Sequence, residues 1–134
     1  MNDIEIRTTS CSTLSGSLLA TGFPYIRDDR FIKSFDIFKD IHSKTRGVRR
    51  LGAAALDLCF VAMGRFDGFY EFELNSWDIA AGSLIVTEAG GLVADWDGKI
   101  LPLNGKRILA SNTGIHKDMI EILTKNKYNI FWDF

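Results

Sequence analysis

The chain has 134 residues, a length that suits one domain with a buried core. Its 16 basic and 17 acidic residues give a formal net charge of -1, so no excess of positive charge favours nucleic acid or an anionic membrane surface. The apolar runs are too short to cross a bilayer, and residues 1–5 lack the basic and apolar regions of a secretion signal. Cys11 and Cys59 lie far apart, without metal-ligand spacing, which is typical of a reduced cytoplasmic protein.

The first half of the chain contains two predicted strands, a short extended segment and one helix. Residues 4–7 alternate in polarity and predict an edge strand, whereas the apolar run 17–22 predicts a buried strand. Apolar residues recur at helical spacing between positions 29 and 44, which predicts an amphipathic helix. Residues 47–50 then form a short extended segment.

The second half of the chain continues the alternation of helices and strands. Helices are predicted at 53–63, 78–89 and 115–124, and strands at 67–72, 92–96 and 107–111, with a turn at Asp97 and Gly98 that starts a hairpin. This order favours a layered α/β architecture in a single domain that spans residues 1–134.

Three junctions between a predicted strand and a predicted helix are candidates for a ligand site. Ligands of layered α/β proteins collect at such junctions, because helix N-termini attract anions there. The three candidates are Gly52-Ala53-Ala54, Trp77-Asp78 and Asn112-Thr113-Gly114.

Residues 77–91 carry the most distinctive pattern of the chain. Asp78 stands at the start of the predicted helix, small residues follow it, and Gly90 and Gly91 end the helix. From the spacing alone, Asp78 is an N-cap that accepts backbone N–H bonds, since aspartate is strongly preferred there. A second interpretation is a metal or substrate ligand.

The full segment 77–91 is similar to the C-terminal signature of the inositol monophosphatase family, W-D-x-A-A-G followed by E-A-G-G. Segments 17–24, 49–58 and 64–71 also resemble bacterial members of this family, so the resemblance extends from about residue 17 to residue 123. It implies the C-terminal half of a layered αβαβα sugar-phosphatase fold and the chemistry of phosphate monoester hydrolysis.

The resemblance implies roles for five positions. Asp78 matches an aspartate that binds a catalytic divalent metal, Mg²⁺ in this family, and lies close to the substrate. Glu71 matches a glutamate that accepts a hydrogen bond from a substrate hydroxyl. Gly52, Ala53 and Ala54 match the turn that lines the substrate pocket, although some members carry a hydroxyl residue where Ala53 stands.

Each of these roles has a structural alternative. Glu71 could be a solvated carboxylate on an edge strand, because glutamate is usually exposed, and the Gly52 turn could serve helix packing alone. Two arginines, Arg49 and Arg50, could face a phosphate or a neighbouring subunit. Asp57 and Glu88 are expected to be surface or capping groups, and no role is predicted for the two histidines.

The expected metal site is incomplete in this sequence. Magnesium takes six oxygen ligands, and the family supplies most of its carboxylates from an adjacent Glu-Glu pair and a D-P-[ILV]-D-G-T loop in its N-terminal half. The chain has no adjacent Glu-Glu pair. It has no D-P-[ILV]-D-G-T loop either, because its two prolines, Pro24 and Pro102, do not follow an aspartate. We therefore expect the catalytic residues in the missing N-terminal half, and we expect this chain alone to be inactive.

Two functions remain open at this stage. The first is half of a magnesium-dependent phosphatase for a small sugar or inositol phosphate, with inositol monophosphate as the leading substrate and fructose or nucleotide bisphosphates as alternatives. The second is a non-catalytic truncated paralogue that acts as an interaction module. Either one predicts a homo-oligomer or a complementing N-terminal half as partner, because a missing domain leaves apolar surface exposed. Neither nucleic acid nor a membrane is an expected partner.

Overall fold

Strands and helices alternate along the chain in the computed structural model, which describes residues 2–104 and 106–125. A short 3₁₀ helix, Leu14–Gly16, precedes the main elements. These are β1 (Leu18–Thr21), α1 (Asp29–Lys44), β2 (Gly47–Arg49), α2 (Ala54–Ala62), β3 (Gly68–Phe72), α3 (Ser76–Glu88), β4 (Leu92–Ala94), β5 (Arg107–Ser111) and α4 (His116–Leu123). Within the described ranges, no helix combines the length and apolar character needed to cross a bilayer.

The strands form one mixed sheet in the order β2-β1-β3-β5-β4. β1 runs parallel to both β2 and β3, and its Ala20 is in register with Phe69 of β3. β5 runs antiparallel to β3 and to β4. The parallel strands β1 and β3 therefore end at the same edge of the sheet, and the predicted layered α/β class is confirmed.

Helices cover both faces of the sheet. Side chains alternate in direction along each strand, so neighbouring residues of one strand pack into different cores. Leu19, Tyr70 and Leu109 face a core shared with α1 and α4. Their sequence neighbours Ala20 and Phe69 face a second core, which is shared with α2 and α3. The result is three layers, with α1 and α4 on one side of the sheet and α2 and α3 on the other.

The contact between α2 and α3 is unusually close. A Cβ atom at Gly82 of α3 would lie 2.6 Å from the Cβ atom of Leu58 in α2, closer than carbon atoms approach without overlap. Glycine at this position therefore lets the two helices touch. Their N-termini line the same pocket, at the end of the sheet where β1 and β3 end.

Three local predictions differ from the structure. Residues 4–7 do not form a strand; instead the N–H group of Thr8 donates to the Ala89 carbonyl at 3.1 Å. The turn at Asp97 and Gly98 is present, but the strand that pairs with β4 begins only at residue 107. α3 begins two residues before the predicted start, because Asn75 is its N-cap.

A substitution of Gly82 tests the close contact between α2 and α3. We expect Gly82→Val to lower the free energy of unfolding by at least about 2 kcal/mol, because the added methyl groups overlap Leu58. Ala81→Val, at an exposed position of the same helix, is the matched control. Equal denaturation midpoints of the two variants in urea would contradict the packing described here.

Candidate functional site

A pocket of about 400 Å³ lies where β1 and β3 lead toward the N-termini of α2 and α3. It has the position at which ligands bind in layered α/β proteins, at the carboxyl ends of neighbouring parallel strands. All five positions singled out by the family resemblance line this pocket: Gly52, Ala53, Ala54, Glu71 and Asp78. Two of the three predicted junctions therefore meet in space, although they are separated by more than twenty residues of sequence.

The third predicted junction does not belong to this pocket. Asn112 is buried, and its side-chain amide donates to Thr9 Oγ1 and to the Cys11 carbonyl, at 2.8 Å each. Its Oδ1 atom accepts the N–H group of Ile115 at 3.0 Å. The asparagine thus fastens the N-terminal segment to the start of α4, and its side-chain polar atoms are used in structural hydrogen bonds.

Asp78 is the third residue of α3, and the N-cap is Asn75. The N–H group of Asn75 donates to Asp78 Oδ2 at 2.9 Å, which satisfies one of the unpaired donors at the start of the helix. The N-cap interpretation of Asp78 is therefore wrong in position, although the side chain does stabilise the helix start. Its Oδ1 atom accepts no hydrogen bond from the residues that the structure describes, and so one oxygen is available to a ligand.

Glu71 lies on the central strand β3 and is only partly exposed. Its carboxyl group lies against the backbone of Gly22, where any Cβ atom would overlap it. Burial, together with the carboxylates of Asp57 and Asp78, raises the pKa of Glu71 to about 8, against the opposing effect of the Arg50 guanidinium. The alternative of a solvated carboxylate on an edge strand is therefore wrong.

Asp57 is a buried residue that lies near the pocket, not the surface or capping group expected from the sequence. It is 1% exposed, and its Oδ1 atom has no hydrogen-bond partner among the described residues. Burial raises its pKa to about 6, against the effect of Arg50. The signal for this placement is present in the sequence, since Asp57 is the single charged residue of the otherwise apolar helix α2.

Positive charge reaches the pocket from Arg50 and from the start of α2. Arg50 lines the pocket, whereas Arg49 ends the edge strand β2 and lies outside the lining. Ala53 is the N-cap of α2 and provides no side-chain hydrogen bond, so the first N–H groups of the helix are not capped by it. Gly52 permits the turn before the helix, because its φ of 91° lies in the left-handed region.

These side chains fit part of a magnesium site. Asp78 offers a carboxylate oxygen, and the pKa of Glu71 is raised by burial and by the neighbouring carboxylates of Asp57 and Asp78, whose negative charge a cation would neutralise. However, residues 2–104 and 106–125 contain no group of three or more histidine, cysteine, aspartate or glutamate side chains placed to hold a metal ion. Because magnesium takes six oxygen ligands, the described side chains supply only part of a coordination shell.

Comparison with known proteins identifies relatives over nearly the whole chain. The model of the inositol monophosphatase family matches residues 1–128. A relative from Neisseria meningitidis serogroup B, named putative Nus factor SuhB, is 48% identical over 124 residues, which are 92% of this chain and 48% of that protein. An inositol-1-monophosphatase from Synechocystis is 43% identical over 92% of this chain and 43% of its own length.

Solved structures agree with these relatives. The inositol monophosphatase from Anabaena matches with a TM-score of 0.82 and 40% identity, over 91% of this chain and 48% of that one. The extragenic suppressor protein suhB from Bartonella henselae matches with a TM-score of 0.86 and 38% identity, over 93% and 48%. The chain therefore spans about half the length of the relatives it matches, and their names include both a phosphatase and a Nus factor.

The carboxyl groups of the pocket predict a pH dependence of stability. Glu71 keeps its proton up to about pH 8 in the folded chain but only to about 4.5 when unfolded, so the folded state binds the extra proton in between. The free energy of unfolding should thus fall as the pH rises from about 5 to 8. Glu71→Gln should flatten this slope in urea titrations, whereas Glu88→Gln, an exposed control on α3, should preserve it. An unchanged slope in Glu71→Gln would contradict the buried, protonated carboxyl.

Proposed function

Because the chain belongs to the inositol monophosphatase family, we propose that its pocket is half of the site of a magnesium-dependent phosphate monoester hydrolase. The main support is the convergence of Asp78, Glu71 and the Gly52 turn on one pocket. The leading substrate is inositol monophosphate, hydrolysed to inositol and phosphate. Sugar phosphates, including fructose bisphosphate, and nucleotide bisphosphates are alternatives. All of these compounds carry the phosphate and hydroxyl groups that the pocket residues would bind.

Each residue of the pocket has a distinct part in this proposal. Asp78 would hold a magnesium ion through its free oxygen, and the ion supplies positive charge that stabilises the phosphoryl group during transfer. Glu71 would accept a hydrogen bond from a substrate hydroxyl, as its carboxyl group points into the pocket beside Gly22. The backbone of Gly52, Ala53 and Ala54 would contact the substrate, with Arg50 as the neighbouring cation.

The proposed site needs residues from a second polypeptide segment. A single carboxylate that faces water holds magnesium weakly, and activation of a water molecule requires an ion fixed on several sides. The relatives are about twice as long as this chain, so their other half is the natural source of the missing carboxylates. We therefore propose that the isolated chain is inactive and that a complementing N-terminal half completes the site.

Reconstitution tests this proposal directly. The separately expressed N-terminal half of the Synechocystis inositol-1-monophosphatase should restore magnesium-dependent release of phosphate from inositol 1-phosphate when it is mixed with this chain. Asp78→Asn should lower the restored rate by at least about tenfold, a loss typical even of groups that only support a metal ligand. Glu88→Gln should leave that rate unchanged.

Two results would contradict the proposal. One is full activity of this chain by itself after removal of host enzymes, since the missing carboxylates would then be unnecessary. The other is equal activity of the Asp78→Asn mixture and the unmodified mixture, since Asp78 would then hold no metal.

The outer surface of α2 and α3 supplies a way for a second polypeptide to bind. Both helices are apolar around most of their circumference, a property typical of helices that are covered on all sides. Their exposed apolar side chains are Leu56, Trp77, Leu84 and Ile85. A groove of about 230 Å³ between α3 and residues 100–103 extends this surface. We call these four side chains and the groove the α2–α3 face.

The α2–α3 face also supports a second candidate function, a non-catalytic interaction module. The names of several relatives, among them Nus factor SuhB of Pseudomonas aeruginosa, do not refer to a phosphatase. A module of this kind would use the α2–α3 face to form a homo-oligomer or to bind another protein. A cytoplasmic location, expected from the cysteines, fits both functions and stays a prediction.

A charged substitution on the α2–α3 face tests whether this face mediates association, without disturbing the fold. Leu84 is 63% exposed, so Leu84→Glu should preserve the thermal midpoint of unfolding. It should abolish self-association or binding of the N-terminal half, because a buried unpaired carboxylate is costly. Ile32→Glu, at an equally exposed position on α1, is the control. Light scattering that shows the same assembly for Leu84→Glu and the parent chain would contradict this role of the face.

A further inference from the structure

The lining of the pocket is divided between polar and apolar parts. Arg50, Glu71 and Asp78 belong to the polar part. One continuous segment, Phe23 to Ile26, contributes apolar side chains, and we call these four residues the apolar loop. The proposed roles of Asp78 and Glu71 concern the phosphate and one hydroxyl, so the loop has no part in the proposed function.

Contacts on both sides hold the apolar loop in place. The Phe23 ring stacks on Phe35 of α1 with centroids 5.1 Å apart, and Pro24 is buried. After the loop, Arg30 at the start of α1 pairs with Asp28 at 2.8 Å and also with Glu73, which itself lines the pocket. The loop is thereby fixed to the same rim that carries Glu71.

The backbone at Glu73, on the rim to which the loop is attached, has an uncommon conformation. Its φ of 61° places a residue other than glycine in the left-handed region, a conformation that is uncommon and concentrated at functional sites. The ion pair with Arg30 fastens the loop to the pocket rim.

Tyr25 and Ile26 project into water although the loop around them is anchored. Tyr25 is 89% exposed and Ile26 is 63% exposed, and both line the pocket. Two adjacent exposed apolar side chains contribute nothing to the core on either face of the sheet. An aromatic ring at a pocket rim is suited to stacking against a flat ligand surface, because it offers a large rigid area at little entropic cost.

We propose that Tyr25 and Ile26 form a specificity wall for the alcohol part of the phosphate ester. They would contact a ring with an apolar face, such as the C–H face of a cyclic polyol or an aromatic ring. Esters of short acyclic alcohols lack such a face, so contact with Tyr25 and Ile26 would not increase their affinity. This inference rests on the proposed function, since Asp78 and Glu71 position the phosphate and hydroxyl beside the loop.

Binding of three phosphate esters to the chain in excess magnesium tests the wall. Phenyl phosphate, inositol 1-phosphate and glycerol 2-phosphate share the phosphate group but differ in the face they present. Titrations followed by amide chemical shifts should give tighter binding of the two ring esters, with the largest shifts near Tyr25 and Glu71. Tyr25→Ala should weaken the ring esters by about three- to tenfold, the range expected for one aromatic contact, and leave glycerol 2-phosphate unchanged. Ile32→Ala, exposed on α1 outside the pocket lining, should change none of the three.

The negative results of this experiment distinguish a failure of the wall from a failure of the proposed function. Equal binding of all three esters, or no effect of Tyr25→Ala on the ring esters, overturns the wall and leaves the proposed function intact. A change in oligomeric state of Tyr25→Ala without a change in ester affinity also overturns it, since the loop would then be a protein contact. Absence of binding of all three esters to the chain at millimolar concentration, with and without the N-terminal half, contradicts the proposed function itself.

Discussion

The site depends on the close contact between α2 and α3. Because Gly82 lets Leu58 approach the backbone of α3, the two helices pack directly against each other, and both start at the edge where β1 and β3 end. The Gly52 turn and Asp78 are then brought to one pocket, and Glu71 of β3 lies between them in sequence and beside them in space. A larger residue at position 82 would separate the helices and enlarge the distance between the two halves of the lining.

This arrangement places the carboxyl groups of Asp57 and Asp78 close to that of Glu71. Burial and the nearby carboxylates of Asp57 and Asp78 raise the pKa of Glu71 to about 8, and the Arg50 guanidinium opposes them. Desolvated carboxyl groups of this kind are unfavourable for stability alone, and they are typical of sites where a cation or a charged substrate binds. The same helices that build the pocket expose apolar side chains on their outer surface, so the proposed second polypeptide segment would meet both the carboxyl groups and the uncovered face.

Much of the fold could be predicted from the sequence, because its signals are local. The bounds of α1 and β5 agree with the periodicity and the β-branched and apolar content of those segments. Features that depend on distant contacts could not be predicted, namely the contact of Glu71 with Gly22 and the position of Arg50 in the lining. The family resemblance predicts five residues of the pocket, whereas spacing alone allows Asp78 to be a simple helix cap.

In the proposed site, Asp78 holds a metal ion firmly only when a second polypeptide segment completes the coordination shell. Mn²⁺ prefers oxygen ligands as Mg²⁺ does, and its unpaired electrons broaden the amide signals of nearby residues. In a titration of the labelled chain with Mn²⁺, we predict weak broadening for the chain alone. Addition of the N-terminal half should produce strong broadening at low metal concentration, centred on Asp78, Glu71 and the Gly52 turn. Broadening centred elsewhere, or broadening at Asp78 that is unchanged by the N-terminal half, would contradict the account.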